Sequence, residues 1–252
     1  MKGMRILTVD IDPQGNTTSG LGLDRRKLNN TVYQMVLDDA DITKCMHDSV
    51  VKNLVVIPSD VALAGAEIEL IGFERREFIL KQEIVRVSHD FDYIIIDCPP
   101  SLNILTVNAI VAADSVLVPI QCEYYALEGL SQLIHTISLV KDRLNPDLEI
   151  EGVVFTMFDA RTNLSLQVVE NVRKSLKQNI YNSIIPRNVK LAEAPSHGLP
   201  ICMYDPRSVG AQAYDDLADE VLANDGRVPK DSAQEKKPEK PFSLRNLLRR
   251  KE

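Results

Sequence analysis

The sequence predicts an α/β fold in which a mostly parallel β-sheet is covered by helices on both faces. Short apolar runs, typical of buried strands, alternate with longer segments whose apolar residues recur every three or four positions. Two parallel strands need a crossover between them, and that crossover is usually a helix. The order of elements therefore favours a parallel sheet. The expected strands cover residues 5–10, 53–57, 92–97, 114–119, 150–156 and 181–185.

The clearest helical pattern lies in the middle of the chain. Apolar residues recur there at helical spacing, namely Leu127, Leu130, Ile134, Ile137 and Val140. Such a stripe packs against a sheet, so it is interpreted as core. Similar helices are expected at residues 75–88, 103–112, 164–177 and 208–223.

The length of the chain allows one or two domains, and its composition predicts a polar tail. The chain has 252 residues, of which 44% are hydrophobic and 26% charged, as in ordinary globular proteins. Residues 1–224 form the expected domain, and residues 225–252 form a charged tail that is predicted to be disordered. Leucines among arginines near its end could form a short basic amphipathic helix. The chain has neither a signal-peptide pattern nor an apolar run of about 20 residues, so we expect a cytoplasmic protein.

Four cysteines are spread through the chain at positions 45, 98, 122 and 202. Their spacing favours neither a disulfide framework nor a zinc site, so all are expected to be reduced. Cys98 and Cys122 both follow predicted strands and could meet at one sheet edge. A metal-cluster ligand pair therefore stays open as an alternative to two small core thiols.

Three aspartates stand at the ends of predicted strands. Asp10 and Asp12 follow the first strand, and Asp97 closes the third. Open α/β sheets bind ligands at the carboxyl ends of their strands, and carboxylates there suit Mg²⁺. A single carboxylate in this place could equally cap a turn. Two such strand ends, each followed directly by a proline-rich loop, favour a nucleotide-dependent switch.

Several segments together resemble one protein family. They are VDIDPQGN (9–16), AGAEIEL (64–70), YIIIDCPPS (93–101), QCEYYALEG (121–129), DARTN (159–163), IPRNV (185–189) and APSHG (194–198). In this order, over about nine-tenths of the chain, they resemble the ParA/Soj chromosome-partitioning ATPases. The resemblance implies a P-loop NTPase-like fold of the deviant Walker type that binds ATP and Mg²⁺.

One part of the family pattern is missing from the sequence. The phosphate-binding loop of these ATPases, KGGxGKT, has no counterpart in the 252 residues. We therefore expect the family's first strand, phosphate loop and first helix to be absent from an N-terminally shortened chain. Such a chain should not hydrolyse ATP. The alternative is a natural paralogue that binds partners without ATPase activity.

The resemblance assigns roles to individual residues of this sequence. Asp12 is implied to position the attacking water, Asp10 to support the phosphate-loop lysine, and Asp97 to hold Mg²⁺. The implied switch residues are Pro13, Gln14, Pro99, Pro100, Gln121 and Glu123, although Gln121 could also belong to a simple structural turn. Met157, Pro186, Arg187 and Asn188 are implied to hold the adenine, and Arg161 and Lys190 to contact DNA.

The resemblance also implies partners. They are a second copy of the chain in the ATP state, non-specific DNA and a ParB-like protein that stimulates hydrolysis. A pI near 5.2 does not exclude DNA binding, because a local basic patch can neutralise the few phosphates it meets. Two other functions are alternatives. A MinD-like membrane-associated ATPase is supported only by the tail, and a Rossmann oxidoreductase lacks the required G-x-G-x-x-G turn.

Overall fold

A computed structural model describes residues 2–227 and confirms the α/β class. The predicted tail, apart from residues 225–227, lies outside the described residues. Within the described range the strands are β1 (Ile6–Asp10), β2 (His47–Asp48), β3 (Leu54–Ile57), β4 (Tyr93–Asp97), β5 (Ser115–Gln121), β6 (Glu149–Phe158) and β7 (Ile180–Pro186). The α-helices are α1 (Asn16–Gly20), α2 (Val32–Leu37), α3 (Leu63–Glu69), α4 (Ile79–Val87), α5 (Ile104–Ala112), α6 (Ala126–Arg143), α7 (Asn163–Ser175), α8 (Val189–Glu193), α9 (Ile201–Tyr204) and α10 (Val209–Asn224).

The first sheet has the strand order β2-β3-β1-β4 and is parallel except for the short edge strand β2. Strand β1 is paired on both sides, and its Leu7 and Val9 are fully buried. Strand β1 is the strand predicted at residues 5–10, and it lies inside the sheet between β3 and β4. Nothing in the described residues supports the expectation that the family's first strand is missing. This central position brings the end of β1 beside the ends of β3 and β4.

The second sheet has the order β5-β6-β7 and is entirely parallel. The predicted parallel strands are divided between two sheets, since no ladder joins β4 to β5 in residues 2–227. Helix α5 connects the two halves by packing into both cores. Its Leu105 and Ala109 belong to the core of the first sheet, and its Ile110 and Val111 to the core of the second.

The long predicted helices are confirmed to within about four residues, as is usual for helix ends. Helix α6 contains the predicted apolar stripe, and α10 packs on β7 through Leu217 against Tyr181. The short helices α1, α2, α3, α8 and α9 were not predicted. Helix α2 begins with a capping box. The side chain of Thr31 accepts the backbone N–H of Gln34, and the side chain of Gln34 accepts the backbone N–H of Thr31. These bonds stabilise a helix of only six residues. In the part of the chain that the structure describes, no helix combines the length and hydropathy that a membrane span requires.

Candidate functional site

Asp10 and Asp97 lie side by side at the carboxyl end of the first sheet. They are register partners in the β1–β4 ladder, and the backbone N–H of Ile11 donates to the carbonyl of Asp97 at 2.9 Å. Adjacent strands run about 4.8 Å apart, so the two carboxylates share one strip of sheet edge. The structure thus brings together two of the three acidic residues that the sequence singled out.

Asp10 is fully buried, and its carboxylate accepts three hydrogen bonds. It accepts hydrogen bonds from the backbone N–H of Thr18 at 2.8 Å, the Thr18 hydroxyl at 2.7 Å and the backbone N–H of Asp12 at 3.2 Å. Burial raises the pKa of Asp10, the neighbouring Asp97 adds to that rise, and the Thr18 bonds oppose it. Among the described residues Asp10 therefore fixes the loop that follows β1.

Thr18 links this loop to a third strand end. Its hydroxyl accepts a hydrogen bond from the backbone N–H of Ser59, just beyond β3, at 2.9 Å. The Ser59 hydroxyl is buried without a partner among the described residues. The ends of β1, β3 and β4 thus meet around a chain of hydroxyl and carboxylate groups.

Thr17 completes this group, because its hydroxyl donates to Oδ2 of Asp97 at 2.7 Å. Mg²⁺ prefers such hard oxygen donors and usually keeps several waters beside one or two protein carboxylates. Asp97 with Thr17 fits that kind of ion. No group of three His, Cys, Asp or Glu side chains in residues 2–227 could hold a metal by itself, so other ligands would come from water and phosphate.

Asp12 opens a tight turn at the end of β1. Its Oδ1 accepts the backbone N–H of Gln14 at 2.9 Å, and its carbonyl accepts the backbone N–H of Gly15 at 2.8 Å. Gly15 has a φ of 61°, which favours glycine. With Pro13 restricting φ in the same turn, the Asp12 carboxylate is held close to its own backbone.

The loop after β4 contains Cys98, Pro99 and Pro100. Pro99 is buried and Pro100 exposed. Burial raises the pKa of Cys98 to about 12, with the charges of Asp97 and Asp12 acting in the same direction, so the thiol is neutral. Burial likewise raises the pKa of Cys122 to about 11. Both cysteines are free thiols, and they match the interpretation as core residues.

The four residues assigned to adenine lie at the carboxyl end of the second sheet. Phe158 is the register partner of Pro186, and its carbonyl accepts the backbone N–H of Arg187 at 2.9 Å. Met157 has a φ of 53° and is 40% exposed, which is an uncommon conformation for a residue with a side chain. Asn188 uses its Oδ1 to cap α8 at the N–H of Lys190.

Gln121 and Glu123 border an apolar groove of about 670 Å³ beside β5 and the start of α6. Gln121 is the last residue of β5, and its carbonyl accepts the N–H of Glu123 at 2.9 Å. Tyr124 and Tyr125, both strongly exposed, line the same groove in an edge-to-face pair. Gln121 and Glu123 thus lie at the end of a strand of the second sheet. The other four residues predicted to form the switch follow strands of the first sheet, namely Pro13, Gln14, Pro99 and Pro100.

The two residues assigned to DNA are both paired with local acids. Arg161 is 86% exposed and donates to Asp159 at 2.6 and 2.9 Å. Lys190 bonds Glu193 at 2.9 Å and lies over the ring of Tyr204. Both follow the ends of β6 and β7, which are neighbours in the sheet. DNA phosphates would have to compete with these carboxylates.

The Arg161–Asp159 pair gives a testable titration. Hydrogen bonds from Arg161 hold the pKa of Asp159 far below its usual range. A lowered folded pKa adds stability above the unfolded pKa, and that stability is lost as the pH falls through the folded pKa.

We expect Arg161→Ala to raise the pKa of Asp159, measured by NMR titration, while the pKa of Asp41, lowered mainly by Thr43, stays unchanged. An unmoved Asp159 titration would contradict the pairing. Arg161 is exposed, so little stability should change.

A backbone contact joins the loops of the two halves. Gly22 follows α1 and Gly198 follows α8, and both have positive φ values, 85° and 63°. A Cβ on Gly198 would lie 3.1 Å from the Cα of Gly22, and one on Gly22 would lie 3.0 Å from the Gly198 carbonyl. The segment after the Asp12 turn therefore lies directly against the segment after Lys190.

Sequence reasoning missed Thr17, Thr18 and Ser59. The two threonines follow Pro-Gln-Gly-Asn directly, and hydroxyl residues just beyond a strand-end turn are the signal that could have found them. Their carboxylate partners lie 80 and 8 residues away along the chain, and the more distant of these requires the sheet register.

Comparisons with known proteins give the family. A model described as an AAA domain matches residues 1–150. The chain is 58% identical over 222 residues to the sporulation initiation inhibitor protein Soj of Bacillus subtilis, covering 88% of each chain. It is 51% identical to the chromosome partitioning protein ParA of Myxococcus xanthus, with 88% of this chain and 78% of the relative covered. It is 48% identical to the chromosome-partitioning ATPase Soj of Treponema pallidum, with 90% and 88% covered.

Two solved structures have a fold similar to that of this chain. Cobyrinic acid a,c-diamide synthase from Mycobacterium smegmatis with bound ADP and magnesium is 36% identical, with a TM-score of 0.78 over 89% of this chain and 84% of that chain. The cell division ATPase MinD of Pyrococcus furiosus is 23% identical with a TM-score of 0.73 over 88% and 87%, which shows the fold alone.

These matches do not support two of the expectations. The family model matches this chain from residue 1 onwards, and the expectation of an N-terminally shortened chain is not supported. Relatives named as ATPases align over most of their length, which gives no support to a loss of hydrolysis. With such identity across nearly nine-tenths of its length, this chain belongs to the ParA/Soj family of chromosome-partitioning ATPases.

Proposed function

We propose that this protein is an ATP-dependent partitioning switch that dimerises with bound nucleotide, binds DNA without sequence preference and responds to a ParB-like partner. The observation that carries the proposal is the register pairing of Asp10 with Asp97, with Thr17 bonded to Asp97, at the edge where open α/β sheets bind ligands. Family membership supplies the ATPase activity, and this edge supplies oxygen donors suited to Mg²⁺-ATP.

Three groups would divide the work at the nucleotide. Asp97 and Thr17 would hold the ion that neutralises phosphate charge. Asp12, one turn away, would accept a hydrogen bond from the attacking water and orient it. The backbone around Met157, Arg187 and Asn188 would hold the base. Mg²⁺ supplies electrostatic stabilisation of the transferred phosphoryl group, and the protein's own contribution is positioning.

Turnover tests the proposal directly. The protein should hydrolyse ATP only with Mg²⁺, and the rate should rise when both DNA and the ParB-like protein of the same genome are present. Hydrolysis should be followed by phosphate release, and dimerisation by light scattering with ATP or ADP. Turnover that is absent, or unchanged by DNA and partner together, would overturn the proposal.

The proposed DNA surface is the neighbouring loops after β6 and β7, carrying Arg161 and Lys190. Replacing both by glutamate should abolish retention of DNA while leaving nucleotide binding intact, because two phosphate contacts per subunit are lost and two negative charges are gained. Counterion release predicts a salt dependence that falls by about 0.9 in log–log slope per phosphate contact removed. Gel-shift titrations at several salt concentrations measure both effects.

A matched control carries the same charge change elsewhere. Arg26 and Lys174 are also exposed and ion-paired, with Asp24 and Glu170 respectively. The Arg26→Glu, Lys174→Glu variant should lose much less affinity than the Arg161→Glu, Lys190→Glu variant. Equal losses in both variants would show that net charge, rather than this surface, governs DNA retention.

A further inference from the structure

Arg25 binds the loop after β1 in a way that the proposed function leaves unexplained. The Nη1 of Arg25 donates to the carbonyl of Gln14 at 2.6 Å, and its Nη2 donates to the carbonyl of Pro13 at 3.1 Å. One guanidinium therefore binds two consecutive carbonyls in the turn that begins at Asp12. No carboxylate pairs with Arg25 within the described range.

The neighbours of Arg25 behave differently. Arg26 and Lys27 both pair with Asp24, and Oδ1 of Asp24 also accepts the backbone N–H of Arg26. This cap fixes the short turn at Arg25–Lys27 and leaves only Arg25 turned towards the Asp12 loop. Arg26 and Lys27 therefore pair with Asp24, whereas Arg25 binds the turn that begins at Asp12.

The absence of a side chain at Gly15 leaves room for the guanidinium of Arg25. A Cβ on Gly15 would stand 2.9 Å from both Cζ and Nε of Arg25, closer than real Cβ contacts occur. Gly15 is itself bonded to the Asp12 carbonyl, and Gln14 to the Asp12 carboxylate. The arginine packs onto the same backbone that holds the Asp12 side chain.

We infer that Arg25 is a positioning residue that locks the Asp12–Gly15 turn and thereby fixes the Asp12 carboxylate for its water. The planar fork of arginine can bind two carbonyls at set angles, which the single ammonium of lysine cannot do. A loop held in this way keeps its reacting group in place without spending binding energy on each turnover. The catalytic consequence rests on the proposed function, whereas the locking of the turn does not.

The first test measures the loop directly. Hydrogen exchange of the peptide covering residues 12–16 should be about tenfold faster in Arg25→Gln than in the unmutated protein, because the two hydrogen bonds from Arg25 to carbonyls of the turn are lost. Arg25→Lys should fall between the two. Arg26→Gln, which removes an adjacent cation paired only with Asp24, should leave exchange in that peptide unchanged. Thermal melts of all three variants check that the fold is intact.

The second test measures catalysis in the same variants. We expect Arg25→Gln to lower kcat about tenfold with little change in KM for ATP, since the turn orients water rather than binding phosphate. Unchanged exchange in Arg25→Gln overturns the inference whatever the ATPase result. Faster exchange with normal kcat overturns the positioning role. Failure of the proposed function would look different: the unmutated protein would not turn over, while the exchange difference between the Arg25 and Arg26 variants would persist.

Discussion

Replacing Asp97 by alanine should weaken the binding of Mg²⁺-ATP to this protein. The carboxylate of Asp97 is the group at the β4 end that Thr17 orients at 2.7 Å, and phosphate-bound Mg²⁺ needs such an anion beside it. We expect ATP affinity in Mg²⁺ to fall by about ten- to a hundredfold, a range typical of losing a group that supports a metal. Affinity measured in EDTA should hardly change. Fluorescent-nucleotide titration in both buffers gives the comparison.

Two variants sharpen this test. Asp97→Asn keeps the size of the side chain and an acceptor for Thr17 but removes the charge, so it should behave like Asp97→Ala. Asp90→Ala removes an exposed acid near the opposite end of β4 and should bind ATP normally. Equal Mg²⁺ dependence in Asp97→Ala and the unmutated protein would contradict the metal role.

The second large effect is expected at Asp12. Asp12→Ala should lower kcat by about a hundred- to a thousandfold, by analogy with the loss of one preorganised group that acts only in the transition state. ATP binding should remain, and the protein should accumulate as an ATP-bound dimer. Single-turnover phosphate release and size-exclusion chromatography in ATP measure the two properties.

The contrast between Asp12 and Asp97 is the informative result. The Asp12 carboxylate bonds only its own turn, whereas the Asp97 carboxylate is joined to Thr17 across 80 residues of sequence. Loss of Asp12 should therefore affect turnover, and loss of Asp97 should affect binding. Normal steady-state hydrolysis by Asp12→Ala would remove the water-positioning role.

The sequence was sufficient for the elements that bury long apolar patterns. Strands such as β4 and β6 and the 18-residue helix α6 were predicted within a few residues, because their burial repeats over many positions. Helices of four to seven residues show too few repeats for a period to be recognised, and their stability comes from caps and tertiary packing. That is why α1 and α2 were missed.

The division into two sheets could not be predicted from pattern alone. Strands β4 and β5 both have the composition of buried strands, yet Ile95 at the centre of β4 is 52% exposed. Hydrophobicity indicates that a segment forms a strand, but it does not say which strands pair. Pairing depends on register and on the crossover geometry of the whole chain.

At the site, charged residues at strand ends were found and their partners were not. Asp10 and Asp97 could be placed together because parallel strands end on the same edge. Thr17 and Arg25 act through contacts with groups 80 and 11 residues away, respectively, which no local pattern encodes. Arg161 was identified as a cation, but its pairing with Asp159 depends on the loop's own fold.

The approach of Gly22 to Gly198 has a mechanical consequence. A contact between two backbones has no side-chain rotamer that can yield, unlike a contact between flexible side chains. A displacement of the segment after α1 would therefore press on the segment that follows α8, the helix that carries Lys190. A methyl group on either glycine would clash with its surroundings or force the two segments apart.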